Sequence, residues 1–313
     1  MTVIDSSSLN DGTLRRLANW LFARPNVFLL LLFLPPLLWL GVVYIGSLLG
    51  FLLHALFSID EFSGLINYVF TLDTLKQLFH PANFDVILRT VAMAAAVTIA
   101  CVIIAYPLAY YAARHAKGGM KALFYILVML PLWSSYLVKV YSWKLILAKE
   151  GIISWLAAKL HLVWLLDGIL ALPGIGGPSL STSYLGMFLV FVYIWLPYMI
   201  LPTQAALERV PVNLIEASAD LGGSPRTTFR HVIWPLALPG VIAGSIFTFS
   251  LTLGDYIIPQ IIGTSTYFLG QTVFTLQGTA GNVPMAAAFT IVPIIIMIIY
   301  LTLAKRAGAF DAI

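Results

Sequence analysis

The sequence predicts an all-α polytopic membrane protein with six transmembrane helices. Three observations carry the prediction. Of 313 residues, 60% are apolar and only 10% charged, where a soluble domain has about 45–50% and about 25%. Mean hydropathy is +0.95. The apolar residues fall into six separate stretches, each near the roughly 20 residues that cross a hydrocarbon core as a helix. A helix satisfies its own backbone hydrogen bonds in lipid. The alternating strands of about 9–11 residues that build a membrane barrel are absent. A disordered chain, a coiled coil and an ordinary soluble enzyme are excluded.

The N-terminal segment, 1–26, is polar. After Asp11 it has two readings: an interfacial amphipathic helix with Leu14, Leu17 and Leu21 on one side beside Arg15 and Arg16, or a frayed tail. The first span is Val27–Leu53, far longer than the roughly 7–15-residue core of a cleaved signal peptide. A mildly acidic loop follows, with Asp60, Glu61, Asp73 and Asp85 against Lys76. The second span, Val86–Ala113, contains Cys101, which reads as a buried small hydrophobe. The third is Ala122–Leu147. The next loop carries Pro173-Gly174-Ile175-Gly176-Gly177-Pro178, which is turn chemistry; a phosphate cradle needs a strand before it and a helix after it. The fourth, fifth and sixth spans are Tyr184–Leu207, Ala237–Ile258 and Met285–Ala304. The membrane-spanning body therefore covers 27–305, with a short tail, 306–313.

Orientation follows from Lys and Arg. Arg15, Arg16, Arg24, Arg114, Lys117, Lys121, Arg209, Arg226, Arg230, Lys305 and Arg306 fall on one side, and only Lys76, Lys149 and Lys159 on the other. Both termini are expected in the cytoplasm. The net charge of +4 reflects this bias and is no footprint for nucleic acid, because no basic cluster exceeds a few residues. A single cysteine excludes a disulfide framework. No metal spacing joins His54, His80, His115, His161 and His231. No nucleophile elbow or P-loop is present. No cofactor, metal site or catalysis is expected. Driving energy must come from an ion gradient or another subunit.

The loop 208–236 is too polar to span a membrane, yet reads as structured. Pro211 suits a first helical position, a helix runs Val212–Leu221, and Gly222 supplies a left-handed cap. Ser224 and Pro225 open a second helix, which Pro235 ends. Leu214, Ala217, Ser218 and Leu221 share an apolar, mostly small face suited to another protein's groove.

Glu216-Ala217-Ser218, then Gly222, then Val232-Ile233-Trp234-Pro235 resembles the EAA loop of binding-protein-dependent ABC transporter permeases, E-A-A-x3-G-x9-I-x-L-P, with Ser218, Val232 and Trp234 as conservative departures. Leu130 to Trp143 resembles the third span of spermidine/putrescine-type permeases, and Gly254-Asp255-Tyr256-Ile257-Ile258-Pro259 with Gly263 their fifth-span end. The resemblance runs from about the second span to the sixth. It implies the type I importer fold, with Glu216, Ala217, Leu221, Gly222 and Pro235 in the loop that couples to a cytoplasmic ATPase dimer. It further implies a second permease subunit, a periplasmic substrate-binding protein, location in a bacterial inner membrane, and a polyamine such as putrescine or spermidine as cargo; another small solute is the alternative.

In the fifth span, Ser245, Thr248, Thr252 and Asp255 cover a stripe of only ~80° at 100° per residue. Such a stripe faces a water-lined pathway or a neighbouring helix, and an intramembrane carboxylate weighs toward function. In the third span Trp133, Tyr136 and Trp143 share one face, and Ser135, Lys139 and Ser142 another. The aromatic face reads as helix packing or as a cation–π wall. Lys139 has two outlets, a carboxylate such as Asp255 or the interface. Two other functions stay open. An ion-driven secondary transporter predicts mid-membrane carboxylates and paired halves, but Asp255 is the only Asp or Glu well inside a span. A membrane scaffold needs no polar stripe. Co-purification of an ATPase separates all three.

Overall fold

The computed structural model describes residues 20–60 and 62–306. The expected interfacial helix around Leu14, Arg15, Arg16 and Leu17 lies outside the described residues, as does the tail beyond Arg306. Among the described residues, five helices are long and apolar enough to cross a membrane: α1 (Pro25–Leu56), α3 (Pro81–Arg114), α8 (Tyr184–Arg209), α10 (Pro225–Gly254) and α13 (Val283–Arg306). The pair α4 (Gly118–Trp133) and α5 (Tyr136–Ile146), which meet at a 96° bend, is apolar enough when taken together and makes a sixth span if it counts as one. The shorter elements are β1 (Ser58–Ile59), β2 (Ile66–Asn67), α2 (Asp73–Gln77), α6 (Ile152–Lys159), α7 (Val163–Leu170), α9 (Val212–Asp220), α11 (Ile257–Ile261) and α12 (Leu269–Gln277).

The chain divides into two compact units, Met1–His54 and Ala55–Ile313. Within the first, Pro35 and Pro36 lie inside the helix and are followed by a π-helical segment, Trp39–Ile45.

In the second unit, α8 packs against α3 and α10, and α10 also packs on α3. These three helices enclose the core. From α3 come Val97, Cys101 and Ala105, and from α8 Met187, Val190, Phe191, Ile194 and Met199. The buried face of α3 is largely alanine: Ala94, Ala105, Ala109 and Ala112. Without a hydrophobic drive between helices in lipid, close approach of small residues supplies the packing. Gly240 and Gly244 do the same for α10: a Cβ at Gly244 would lie 2.8 Å from Met199 Sδ. Cys101 is fully buried, with Sγ 3.8 Å from the Val192 carbonyl, which fits the small-hydrophobe reading.

Two sequence expectations need correction. The third span is not one helix: Pro131 lies inside α4, and Ser134 and Ser135 adopt extended backbone (ψ 149° and 133°). Pro235 does not end a helix. The chain runs on from Pro225 to Gly254 through a π-helical segment, Phe229–Ile233, whose wider turn leaves room for the proline ring. The loop between the third and fourth expected spans carries two short helices, α6 and α7. The Pro173–Pro178 run is non-helical, as read.

The loop after α1 holds a minimal antiparallel hairpin, with Ser58 opposite Asn67 and Ile59 opposite Ile66. The Asp60 carboxylate accepts the N–H groups of Phe62 (2.8 Å) and Ser63 (3.1 Å). The Ser63 N–H, then that of Phe62, holds this carboxyl below its ordinary pKa.

Candidate functional site

Two regions hold the functional residues the sequence singled out. The first is the loop between α8 and α10. Its helix α9 starts at Val212 as expected and ends one residue earlier: Pro211 is the N-cap, with extended ψ of 135°, and Leu221 is the C-cap. Beyond it Gly222 takes φ +77°. The Gly222 N–H donates to the Ala219 carbonyl at 2.8 Å, and the Gly223 N–H to that of Ser218 at 2.8 Å. This pair of bonds is the Schellman arrangement, which consumes two carbonyls that the helix end leaves free. Ser224 then caps the next helix, its hydroxyl accepting the Thr227 N–H at 3.3 Å.

The face of α9 is divided. Ser218 turns inward and its hydroxyl meets that of Thr228 at 2.9 Å. Ile215 packs against a small core of Ala109, Leu207, Ile233 and Ala237. Leu214, Glu216 and Ala217 are exposed, and Leu221 is 89% exposed. Among the described residues no ion pair joins Glu216 to Arg226 or Arg230. The loop's root is braced instead by Glu208, still within α8. Glu208 Oε1 is 2.9 Å from Lys121 Nζ and accepts from Tyr125 Oη and Gln204 Nε2, each at 3.1 Å. Arg114 adds a bond from Nη2 to the Val210 carbonyl at 2.8 Å.

The second region is where two broken helices meet. Helix α10 stops at Gly254, and Asp255 leaves it with ψ 133°. The expected stripe therefore does not continue to Asp255 on one helix. Asp255 Oδ1 accepts the N–H groups of Ile257 (2.8 Å) and Ile258 (3.1 Å), capping α11. Its Oδ2 accepts the hydroxyl of Tyr136, from the first residue of α5. Lys139 does not pair with Asp255. Its Nζ donates to the Pro131 carbonyl at 2.7 Å.

Asp255 and Tyr136 line a groove of about 330 Å³ together with Trp195, Ser250 and Tyr256. Tyr136 and Trp195 stack with centroids 5.8 Å apart. Ser245, Thr248 and Thr252 are buried and do not line this groove. Thr248 donates to the Gly244 carbonyl at 2.5 Å and Thr252 to that of Thr248 at 2.7 Å. Ser245 bonds the Ile242 carbonyl at 2.6 Å and accepts from Tyr300 Oη at 2.7 Å. Trp133 is 83% exposed on the far side of the bend and does not share a face with Tyr136. Trp143 packs on Tyr193 at 5.0 Å. Sequence reasoning missed Trp195 and Ser250. Trp195 is one of several aromatics in an apolar span and carries no signal of its own, and Ser250 sits off the stripe that spacing selected. The adjacency of Tyr256 to Asp255 was the available clue to that ring.

A carboxylate flanked by stacked aromatic faces, at the junction of two helix breaks, provides what an organic cation needs: a counter-charge and π-surfaces.

Comparison with known proteins gives consistent matches. The family described as "Binding-protein-dependent transport system inner membrane component" matches residues 102–309. The chain is 56% identical over 313 residues to the inner membrane ABC transporter permease protein YdcU of Escherichia coli (strain K12), covering 100% of this chain and 99% of that one. It is 29% identical over 280 residues to the spermidine/putrescine transport system permease protein PotB of the same organism, covering 89% and 93%. Among solved structures, a chain of a bacterial ABC transporter involved in import of the acidic polysaccharide alginate aligns with a TM-score of 0.70 at 14% identity, covering 92% of this chain and 99% of that one. At that identity the likeness shows the fold alone.

Proposed function

This chain belongs to the binding-protein-dependent transport system inner membrane components and is the permease subunit of an ABC transporter, and from that premise we propose that its cargo is a small polyamine. It is a multi-pass inner membrane protein and no enzyme. The observation that carries the cargo reading is the groove of Asp255, Tyr136 and Trp195. A polyamine ammonium gains there a charge-assisted hydrogen bond and cation–π attraction. A carboxylate at the same point repels an anionic solute. The name of PotB, a spermidine/putrescine permease, supports the same class. The test is uptake by the reconstituted complex of putrescine and spermidine against a neutral sugar and a dicarboxylate. Amine-selective uptake is the expected result, and preferential uptake of the sugar or the acid overturns the reading.

The remaining partners follow from the same reading: a cytoplasmic ATPase homodimer at the turn of Leu221 and Gly222, a second permease subunit, and a periplasmic binding protein. The orientation has both termini in the cytoplasm. Reporter fusions after Lys121 and Arg230 are expected to report cytoplasm, and fusions near Asp73 and Gly176 periplasm. A periplasmic signal at Arg230 removes the ATPase from reach of α9 and sinks the docking assignment.

A further inference from the structure

The break between α4 and α5 leaves carbonyls without the intrahelical partners that a continuous span supplies. At membrane depth such groups need another donor. The Pro131 carbonyl has two: Ser134 Oγ at 2.9 Å and Lys139 Nζ at 2.7 Å. Lys139 sits one turn into α5, so its ammonium reaches back across the bend and ties α5 to the end of α4. Tyr136 lies between these tie points and hydrogen-bonds Asp255. Its direction is fixed by the angle of the bend.

We propose that Lys139 is a positioning residue: its ammonium clamps the Pro131 carbonyl, holds the 96° bend, and thereby aims the Tyr136 hydroxyl at Asp255. The clamp also explains a lysine beside a groove suited to cations. The charge is spent on a backbone carbonyl on the other side of the bend, and Lys139 is not among the groove's lining residues. The functional part of the proposal rests on the polyamine reading. The geometric part does not.

The test separates the two. In a Cys101→Ser background, which removes the only cysteine, Tyr136→Cys and Asp255→Cys are joined by a short bifunctional thiol reagent in the assembled complex. Adding Lys139→Met is expected to slow cross-linking about tenfold, the scale of one lost charge-assisted hydrogen bond. Lys139→Arg, which restores a cationic donor, is expected to recover most of the rate. Unchanged cross-linking in Lys139→Met, or no recovery with Lys139→Arg, overturns the clamp. On the otherwise native protein, Lys139→Met is expected to raise the putrescine concentration for half-maximal uptake about tenfold, with complex assembly retained. A fall in maximal rate alone, with half-saturation unmoved, also overturns it, since that marks a merely structural defect. Slowed cross-linking with wild-type uptake supports the clamp and overturns the polyamine groove.

Discussion

Gly222→Asn is expected to leave the permease folded and inserted while releasing its ATPase. The residue has φ +77°, and an added Cβ meets nothing within 4 Å in this chain. The only intrachain cost is the left-handed backbone, of order 1 kcal/mol for an ordinary residue, and asparagine is among the side chains that tolerate it best. Any larger effect must come from a surface outside the chain that lies against the turn. Gly222→Asp adds charge to the same bulk and is expected to act more strongly. Gly223 is the internal control. A Cβ there would lie 2.6 Å from the Ser218 carbonyl oxygen and 2.7 Å from its hydroxyl, so Gly223→Val distorts the loop itself, and its damage shows whether or not a partner is present. The measurement is ATPase retained on a tagged permease, then ATP turnover with binding protein and substrate. Retention and coupling unchanged in both Gly222 variants would falsify the docking assignment without disturbing the family membership. Glu216→Ala is expected to weaken retention less, since its exposed carboxylate stands beside the apolar contact of Leu221 rather than at its centre.

How far these features were legible in the sequence depends on whether local rules decide them. The loop between α8 and α10 was nearly complete in the sequence, because a glycine after an apolar helical face, a serine and a proline at the next helix start are short-range chemistry. The six spans were legible because lipid enforces length and hydropathy. The bend at Ser134–Ser135 was not, since Pro131 alone is compatible with a straight, kinked or broken span. Pro107 lies within α3, Pro197 and Pro202 within α8, and those helices continue unbroken. The polar stripe of α10 was legible as a stripe, but its direction was not. Period analysis finds which residues share a face and cannot say whether that face meets Tyr300 or a groove. Asp255 was found for its charge, and its true neighbour Tyr136 lies 119 residues earlier, beyond any local rule.

Asp255→Asn is expected to abolish most polyamine transport while the complex assembles normally and keeps its basal ATPase activity. The substitution preserves shape. The amide oxygen can still accept the N–H groups of Ile257 and Ile258, and the amide nitrogen can donate to the Tyr136 oxygen where Oδ2 now accepts. What disappears is the negative charge. A hydrogen bond to a charged group contributes about 1.5–3 kcal/mol, so its loss predicts a fall of roughly ten- to a hundredfold in apparent affinity. Thr252→Val sharpens the comparison. Its hydroxyl is buried and committed to the Thr248 carbonyl, so uptake is expected to stay within about threefold of wild type, as befits a conservative change at a residue whose bond closes within its own helix. Tyr136→Phe falls between them, because it removes a donor to the carboxylate but leaves the charge and the stacked ring. The order Asp255→Asn, Tyr136→Phe, Thr252→Val, from largest loss to smallest, is the signature of a groove built at the junction of α5 and α11. The reverse order, with Thr252→Val the most damaging, would move the pathway to the face of α10 that packs inside the subunit. Equal uptake of putrescine by Asp255→Asn and wild type leaves the carboxylate as the cap of α11 and nothing more.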